Sequence, residues 1–301
     1  MATCYISMLI EMKIVETLVI SIIFLISENI AIGQEPKKLF VFDTVTKYPV
    51  SFATIKVLSK TSGAFTNEKG EFSLKYSESD SLLISCIGYQ SKTFFHTRDT
   101  FLLDPKNYTL PEVSITPIKN KKLEIGFFDS KDRVWNATRF SAEEVLKVDI
   151  PSEYPLYQIK AVKLKCRNPS KEPLVKLHIY DQDESGLPGN ELLKSNVIVN
   201  DQLKIIHTID LSNQNLFLSK RVVFVGIEWL ISNTEVSSSR TEGFIPWNKF
   251  YVGYTYEYPQ STTFVRTVQF KEYKWVNNSI LLIASMKYLN PGNLMISLII
   301  E

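Results

Sequence analysis

The chain has 301 residues, a formal net charge of +2, and 45% hydrophobic and 12% aromatic residues. That length suits about two domains of roughly 100–200 residues each, and the apolar share is enough for packed cores. A near-neutral chain without a basic block lacks the clustered Lys/Arg footprint that nucleic-acid binding needs, so nucleic acid is excluded as a partner.

Residues 1–33 read as a signal peptide. Residues 14–26 are almost wholly apolar, interrupted by Glu16 and Thr17; Lys13 precedes them and the small-x-small pattern Ala31-Ile32-Gly33 follows. Met12-Lys13 is a more natural start than Met1. Cleavage is expected before Gln34, giving an exported protein of the periplasm, cell surface or medium, with no membrane span after cleavage. The alternative is an uncleaved N-terminal anchor. No Cys follows the cleavage site, so a lipid anchor is not supported.

From residue 38 onwards helical periodicity gives way to short strand-like runs every 8–12 residues, separated by turn residues. Strands are expected at 39–43, 53–57, 63–66, 71–76, 81–87, 91–95 and 100–103, closing a small β-sandwich over residues 38–104. In 66–74 the polar turn Asn67-Glu68-Lys69-Gly70 places glycine where a tight hairpin needs positive φ. Phe72, Leu74 and Tyr76 then share one strand face. A second apolar strand ends in Cys86-Ile87-Gly88-Tyr89. Residues 105–124, with Pro105, Pro111, Pro117 and the run Lys119-Asn120-Lys121-Lys122, read as a linker with an edge strand available at Val113-Ser114-Ile115.

The order of these motifs carries a resemblance. A strand ends in Phe42-Asp43. Pro49 precedes Ala53-Thr54-Ile55, then come the Thr66–Leu74 hairpin, the Gly88-Tyr89 strand end and Leu110-Pro111-Glu112-Val113. This resembles the carboxypeptidase-regulatory-like domain of Bacteroidetes envelope proteins. The resemblance implies a non-catalytic, Ig/transthyretin-like sandwich. Two departures are a missing Gly before the first strand's Val and Cys86 in place of Tyr or Phe. In larger relatives the module precedes a TonB-dependent barrel; residues 116–301 are too few for that plug and barrel.

A second, larger domain is expected over 125–301. Its strands are placed at 126–128, 138–140, 158–165, 175–180, 194–199, 205–210, 222–229, 250–256, 265–270, 280–287 and 294–300. Residues 141–146 read as a short N-capped helix. So many strands suggest a jelly-roll-like sandwich, making the chain all-β. The runs Ile179-Tyr180 to Gly186-Leu187-Pro188-Gly189, and Phe224-Val225-Gly226-Ile227-Glu228, resemble β-sandwich domains found beside secreted hydrolases, a likeness of fold alone.

Candidate chemistry is sparse. His96, His178 and His207 are each followed three residues later by an aspartate (Asp99, Asp181, Asp210). On a strand such positions face opposite ways, so zinc is not expected and structural histidines are. Asp181, Asp183 and Ser185 before Gly186 resemble half a calcium loop, but its closing glutamate falls one place short at Glu191. An acidic hairpin is the other reading, and calcium is the only cofactor in view. Tyr254, Tyr256 and Tyr258 would share one strand face and could stack on sugar rings beside Trp247 or Trp275; ordinary strand packing competes with that. Cys86 and Cys166 read as two buried free thiols, with a disulfide between them as the alternative if the domains touch there. No nucleophile elbow or phosphate loop is present. The sequence therefore favours an exported, non-catalytic envelope protein that binds or scaffolds, its partner an envelope protein or a glycan. A carbohydrate-binding module is the alternative, and an unrecognised hydrolase the second.

Overall fold

The computed structural model describes residues 38–60, 62–74, 76–77, 79–95, 98–106, 121–128, 133–136, 142–167, 174–199, 205–230, 251–258, 260–267, 274–278 and 292–301. The signal peptide, the 113–115 edge strand, the strands expected at 138–140 and 280–287, His96 and Trp247 lie outside the described residues. Lys38–Glu301 form one compact unit. No helix among the described residues is long and apolar enough to cross a membrane.

The seven expected N-terminal strands all form: β1 (Lys38–Asp43), β2 (Thr54–Val57), β3 (Gly63–Phe65), β4 (Glu71–Ser73), β5 (Ser81–Ser85), β6 (Lys92–Phe95) and β7 (Thr100–Leu103). They make two sheets, β4-β1-β7 and β3-β2-β5-β6. Strand alternation decides which side chains enter: Leu39 and Val41 of β1, Ile55 and Val57 of β2, Leu82 and Ile84 of β5, and Phe101 and Leu103 of β7 fill the space between the sheets. The hairpin turn works as its sequence requires. Asn67 Oδ1 accepts from the backbone N–H of Lys69 and Glu71, at 2.9 and 3.0 Å. Gly70 adopts φ +70°, and a Cβ there would lie 2.6 Å from the Val41 carbonyl oxygen.

The second part contains β8 (Leu123–Gly126), β9 (Arg133–Asn136), β10 (Ala142–Asp149), β11 (Tyr157–Arg167), β12 (Leu174–Gln182), β13 (Pro188–Glu191), β14 (Val197–Val199), β15 (Ile206–Asp210), β16 (Leu216–Leu218), β17 (Val222–Leu230), β18 (Tyr251–Thr255), β19 (Thr263–Thr267), β20 (Val276–Asn277), β21 (Asn293–Leu294) and β22 (Ile296–Ile300). One sheet runs β13-β12-β17-β10-β19-β20, with β14 also on β12. The other runs β21-β18-β11-β22-β8, with β15 and β16 on β11 and β9 on β18. Val175, Leu177 and Ile179 of the first sheet pack with Val162, Leu164 and Leu298 of the second in one core. The chain is thus all-β, two sandwiches in sequence.

One local expectation fails. Residues 142–149 form a central strand, β10, and not a helix. Its Ala142, Leu146 and Val148 join the sandwich core while Val145 packs on the opposite face with Tyr180 and Phe224. β10 is bonded along its length to β17 and β19. Burial on two faces and two strand partners override a local capping preference. The acidic hairpin turn expected before Pro188-Gly189 is in place, and Pro188–Glu191 form β13, which pairs with β12. β17 lies so close to β10 that a Cβ on Gly226 would run into the Glu144 carbonyl, which is why glycine stands mid-strand there.

Candidate functional site

In β12 the apolar residues Val175, Leu177 and Ile179 point into the sandwich core, so Lys176, His178 and Tyr180 project from the outer face of the sheet. Register then assembles charge. Lys176 of β12 pairs with Glu228 of β17, Glu228 with Glu143 of β10, and Glu143 with Arg266 of β19. The four form one row across four strands, cation, acid, acid, cation. Two carboxylates side by side repel, and the flanking cations with His178 offset that repulsion.

This outer face is covered by the small sandwich. All four residues of β2 are buried: Ile55 and Val57 in their own core, Thr54 and Lys56 towards the charged face. Thr54 Oγ1 donates to Glu228 Oε1 at 2.8 Å and accepts from Lys176 Nζ at 3.1 Å. Ile87, in the turn after β5, inserts into the core of the larger sandwich. Beside it Asn196 Nδ2 donates to the Ser51 carbonyl at 3.0 Å and approaches Cys86 Sγ at 3.3 Å. The Cys86-Ile87-Gly88-Tyr89 strand end is therefore a second point, beside Thr54, at which the two sandwiches meet.

The charges close a network. Lys176 Nζ lies 2.7 Å from Glu228 Oε2. His178 bridges two acids, Nδ1 at 2.5 Å from Glu191 Oε2 and Nε2 at 3.1 Å from Glu228 Oε2. Tyr180 Oη donates to Glu143 Oε1 at 2.5 Å, and Arg266 donates through Nε and Nη2 to Glu143 Oε2 at 3.2 and 2.6 Å. The Arg266 guanidinium also lies 4.3 Å from the centre of the Trp275 ring, which meets Tyr180 edge-on.

Burial by itself would drive the proton off His178, but the Glu143 and Glu191 charges and the two hydrogen-bonded carboxylates outweigh it and raise its pKa to about 9. His178 is thus an imidazolium at neutral pH, donating from both nitrogens. Burial opposes the Glu228 charge, yet Lys176 and His178 hold its carboxyl well below the usual range. Burial pushes the Cys86 thiol up, and burial with the Arg266 charge lowers Lys56 to about 8.

Above the network a cleft of about 450 Å³ opens between the sandwiches. Glu143, His178, Glu191 and Arg266 line one wall, and Ser85 and Tyr89 the other.

The residues singled out from sequence fare unevenly. The open Tyr254–Tyr256–Tyr258 face does not form. Tyr254 is 2% exposed in the core, Tyr256 packs against that core, and Tyr258 lies against Phe127 at 4.4 Å between ring centres. β18 ends at Thr255, so strand alternation stops before it can align the three rings, and its first member faces the apolar interior. Trp275 is placed elsewhere, on Arg266 and Tyr180. The calcium loop also fails to assemble. Asp183 Oδ1 accepts from the N–H of Ser185 and Leu187, and Asp181 Oδ1 from that of Asn190. Asp181 and Asp183 thus brace a hairpin, and Ser185 contributes its backbone. Among the described residues no cluster suited to a metal occurs. Cys86 and Cys166 are buried thiols outside any disulfide among the described residues.

The acids and bases of the network were missed as a group. Charged side chains at alternate positions of apolar strands, Lys176 and His178 in β12 and Glu228 in β17, were the available signal. What joins them is strand register, which the sequence does not print.

No curated protein matches the chain. Among solved structures, a clostridial cysteine protease, Cwp84 after propeptide cleavage, is similar at 9% identity and a TM-score of 0.39. The match covers 83% of this chain and 65% of that one. The cysteine protease and lectin-like domains of Cwp84 from Clostridium difficile match at 10% identity and a TM-score of 0.40, over 83% of this chain and 58% of theirs. A structure of infectious bursal disease virus matches at 8% identity and a TM-score of 0.25, over 83% and 55%. The chain spans less than two thirds of these structures, and likeness so slight carries no argument about function. The small sandwich is another matter: residues 40–115 match the family model of the CarboxypepD_reg-like domain, and the chain carries a domain of that family.

Proposed function

We propose that this is an exported, non-catalytic binding protein of the cell envelope. Its CarboxypepD_reg-like sandwich is held against the larger sandwich, and the cleft between them receives the ligand. One observation carries the binding reading: the acids and bases lining the cleft are matched to one another. Glu143 is held by Arg266 and Tyr180, Glu228 by Lys176, His178 and Thr54, and Glu191 by His178 and two backbone N–H groups. General acid–base work needs a group poised to exchange its proton near neutral pH, and His178 is held protonated by its acids. The Cys86 thiol is kept protonated by burial and so is a poor nucleophile. Export rests on the residue 1–33 pattern.

Cell fractionation with N-terminal sequencing tests the export arm. A mature chain beginning at Gln34 in the envelope or medium is expected; a full-length chain in the cytosol contradicts it. For the binding arm, a mixed panel of sugars, amino acids, short peptides and phosphates is screened by thermal shift. At least one should raise Tm of the wild type by mass action and leave Ser85→Trp, which fills the cleft, unmoved. No shift from any member, or turnover of peptide, ester or glycoside substrates, contradicts the reading.

A further inference from the structure

We infer that the cleft takes a neutral, hydroxyl-rich ligand of one or two sugar rings, received by acceptor oxygens of Glu143, Glu191 and Glu228. This rests on the reading of the cleft as the binding site and deepens it.

The argument starts from the charge of the walls. Three carboxylates, Glu143, Glu191 and Glu228, are matched by three cations, Lys176, His178 and Arg266, through short contacts. The network is therefore balanced within itself, and Lys106 is one further cation in the walls. Burying ions at a domain contact is costly, and well-packed apolar residues would hold two sandwiches together as well or better. Here the ions floor an open cleft, where perturbed titrating groups gather at functional sites.

Acceptor capacity then selects the ligand. A carboxylate oxygen offers two lone pairs. Glu228 Oε2 receives Lys176 and His178, Glu191 Oε1 receives the N–H groups of Ile179 and Leu193, and Glu143 Oε2 receives two donors of Arg266. The second oxygen of each acid takes one donor: Thr54 on Glu228 Oε1, His178 on Glu191 Oε2 and Tyr180 on Glu143 Oε1. Three oxygens thus keep an acceptor side. An ammonium ligand would add a cation to walls that already hold Lys106, Lys176, His178 and Arg266. A carboxylate or phosphate would face those acceptor oxygens. A hydroxyl donates to them and changes no charge. The half-buried Tyr89 ring in the opposite wall offers an apolar body, and about 450 Å³ falls in the range of small-ligand sites.

Isothermal titration tests this with neutral mono- and disaccharides, their uronic-acid and amino-sugar counterparts, and inorganic phosphate. The wild type, Glu191→Gln and Ser85→Trp are compared after circular dichroism shows each folded. A neutral sugar is expected to bind the wild type, at least tenfold more weakly in Glu191→Gln and undetectably in Ser85→Trp. Binding confined to charged members overturns the ligand class and leaves the cleft standing as the site. Binding of a neutral sugar with equal affinity in all three proteins moves the ligand off the cleft and overturns both. No binding by any panel member overturns the ligand class and leaves the cleft to be judged by the amino acids and peptides of the wider screen.

Discussion

Removing the Lys176 ammonium, in Lys176→Met, is expected to destabilise the protein by about 3–5 kcal/mol, because it strands part of a buried ion network. Lys176 and Glu228 are both buried, and Lys176 balances two adjoining carboxylates, Glu228 and Glu143, in one row of the sheet. Replacing both partners, in Lys176→Met with Glu228→Leu, should return a good part of that loss, since neither charge is then left unmatched. Urea unfolding followed by Trp fluorescence checks both. A single variant within about 0.5 kcal/mol of wild type, the usual range for surface changes, would show that the ammonium is not buried against Glu228.

The second large effect sits in the core of the larger sandwich. Glu144 is on β10, between Glu143 and Val145 of the outer face, so it shares the inner face with Ala142 and Leu146. Its Oε2 has no hydrogen-bond partner among the described residues. Burial pushes its carboxyl up to about 8 from an ordinary 4.5. Between those values the unfolded chain releases the proton and the folded chain keeps it, so stability falls as pH rises from about 4.5 to about 8. The loss is at most on the order of 4–5 kcal/mol at about 1.4 kcal/mol per unit. Glu144→Gln is therefore expected to stabilise the protein by about 2 kcal/mol or more at pH 8 and to change little at pH 4. His178 adds a slope of the same sign. Its raised pKa supplies stability that is full below pH 6.5 and lost as pH rises through about 9. Glu144→Gln should remove the decline below pH 6.5 and leave that due to His178. An unchanged slope in the variant would place the Glu144 carboxyl in water.

Much of the fold was legible because it is written in short-range patterns. The seven strands of the small sandwich follow from alternation and from turn residues such as Asn67 and Gly70, whose backbone demands are local. β10 was misread because Ser141-Ala142-Glu143-Glu144 carries a helix-start pattern, whereas its strand form depends on β17 and β19, remote in sequence. The tyrosine run misled in the same way. Alternation places Tyr254 and Tyr256 on one face of an ideal strand, but nothing local says that this face is the core or that β18 stops at Thr255. The site was the least legible part. Lys176, Glu228, Glu143 and Arg266 come from four strands, and only register aligns them. Thr54 and Ile87 looked like members of the small sandwich alone, yet one donates to Glu228 and the other enters the larger core.

The central claim is that the CarboxypepD_reg-like sandwich is fixed to the larger one through this network, and the Thr54–Glu228 bond tests it most directly. A double-mutant cycle of Thr54→Val and Glu228→Gln, measured by urea unfolding, should give a coupling of about 1.5–3 kcal/mol, the range for a hydrogen bond to a charged group. Coupling within about 0.3–0.5 kcal/mol of zero, as for distant sites, would contradict the contact, and with it the cleft it closes.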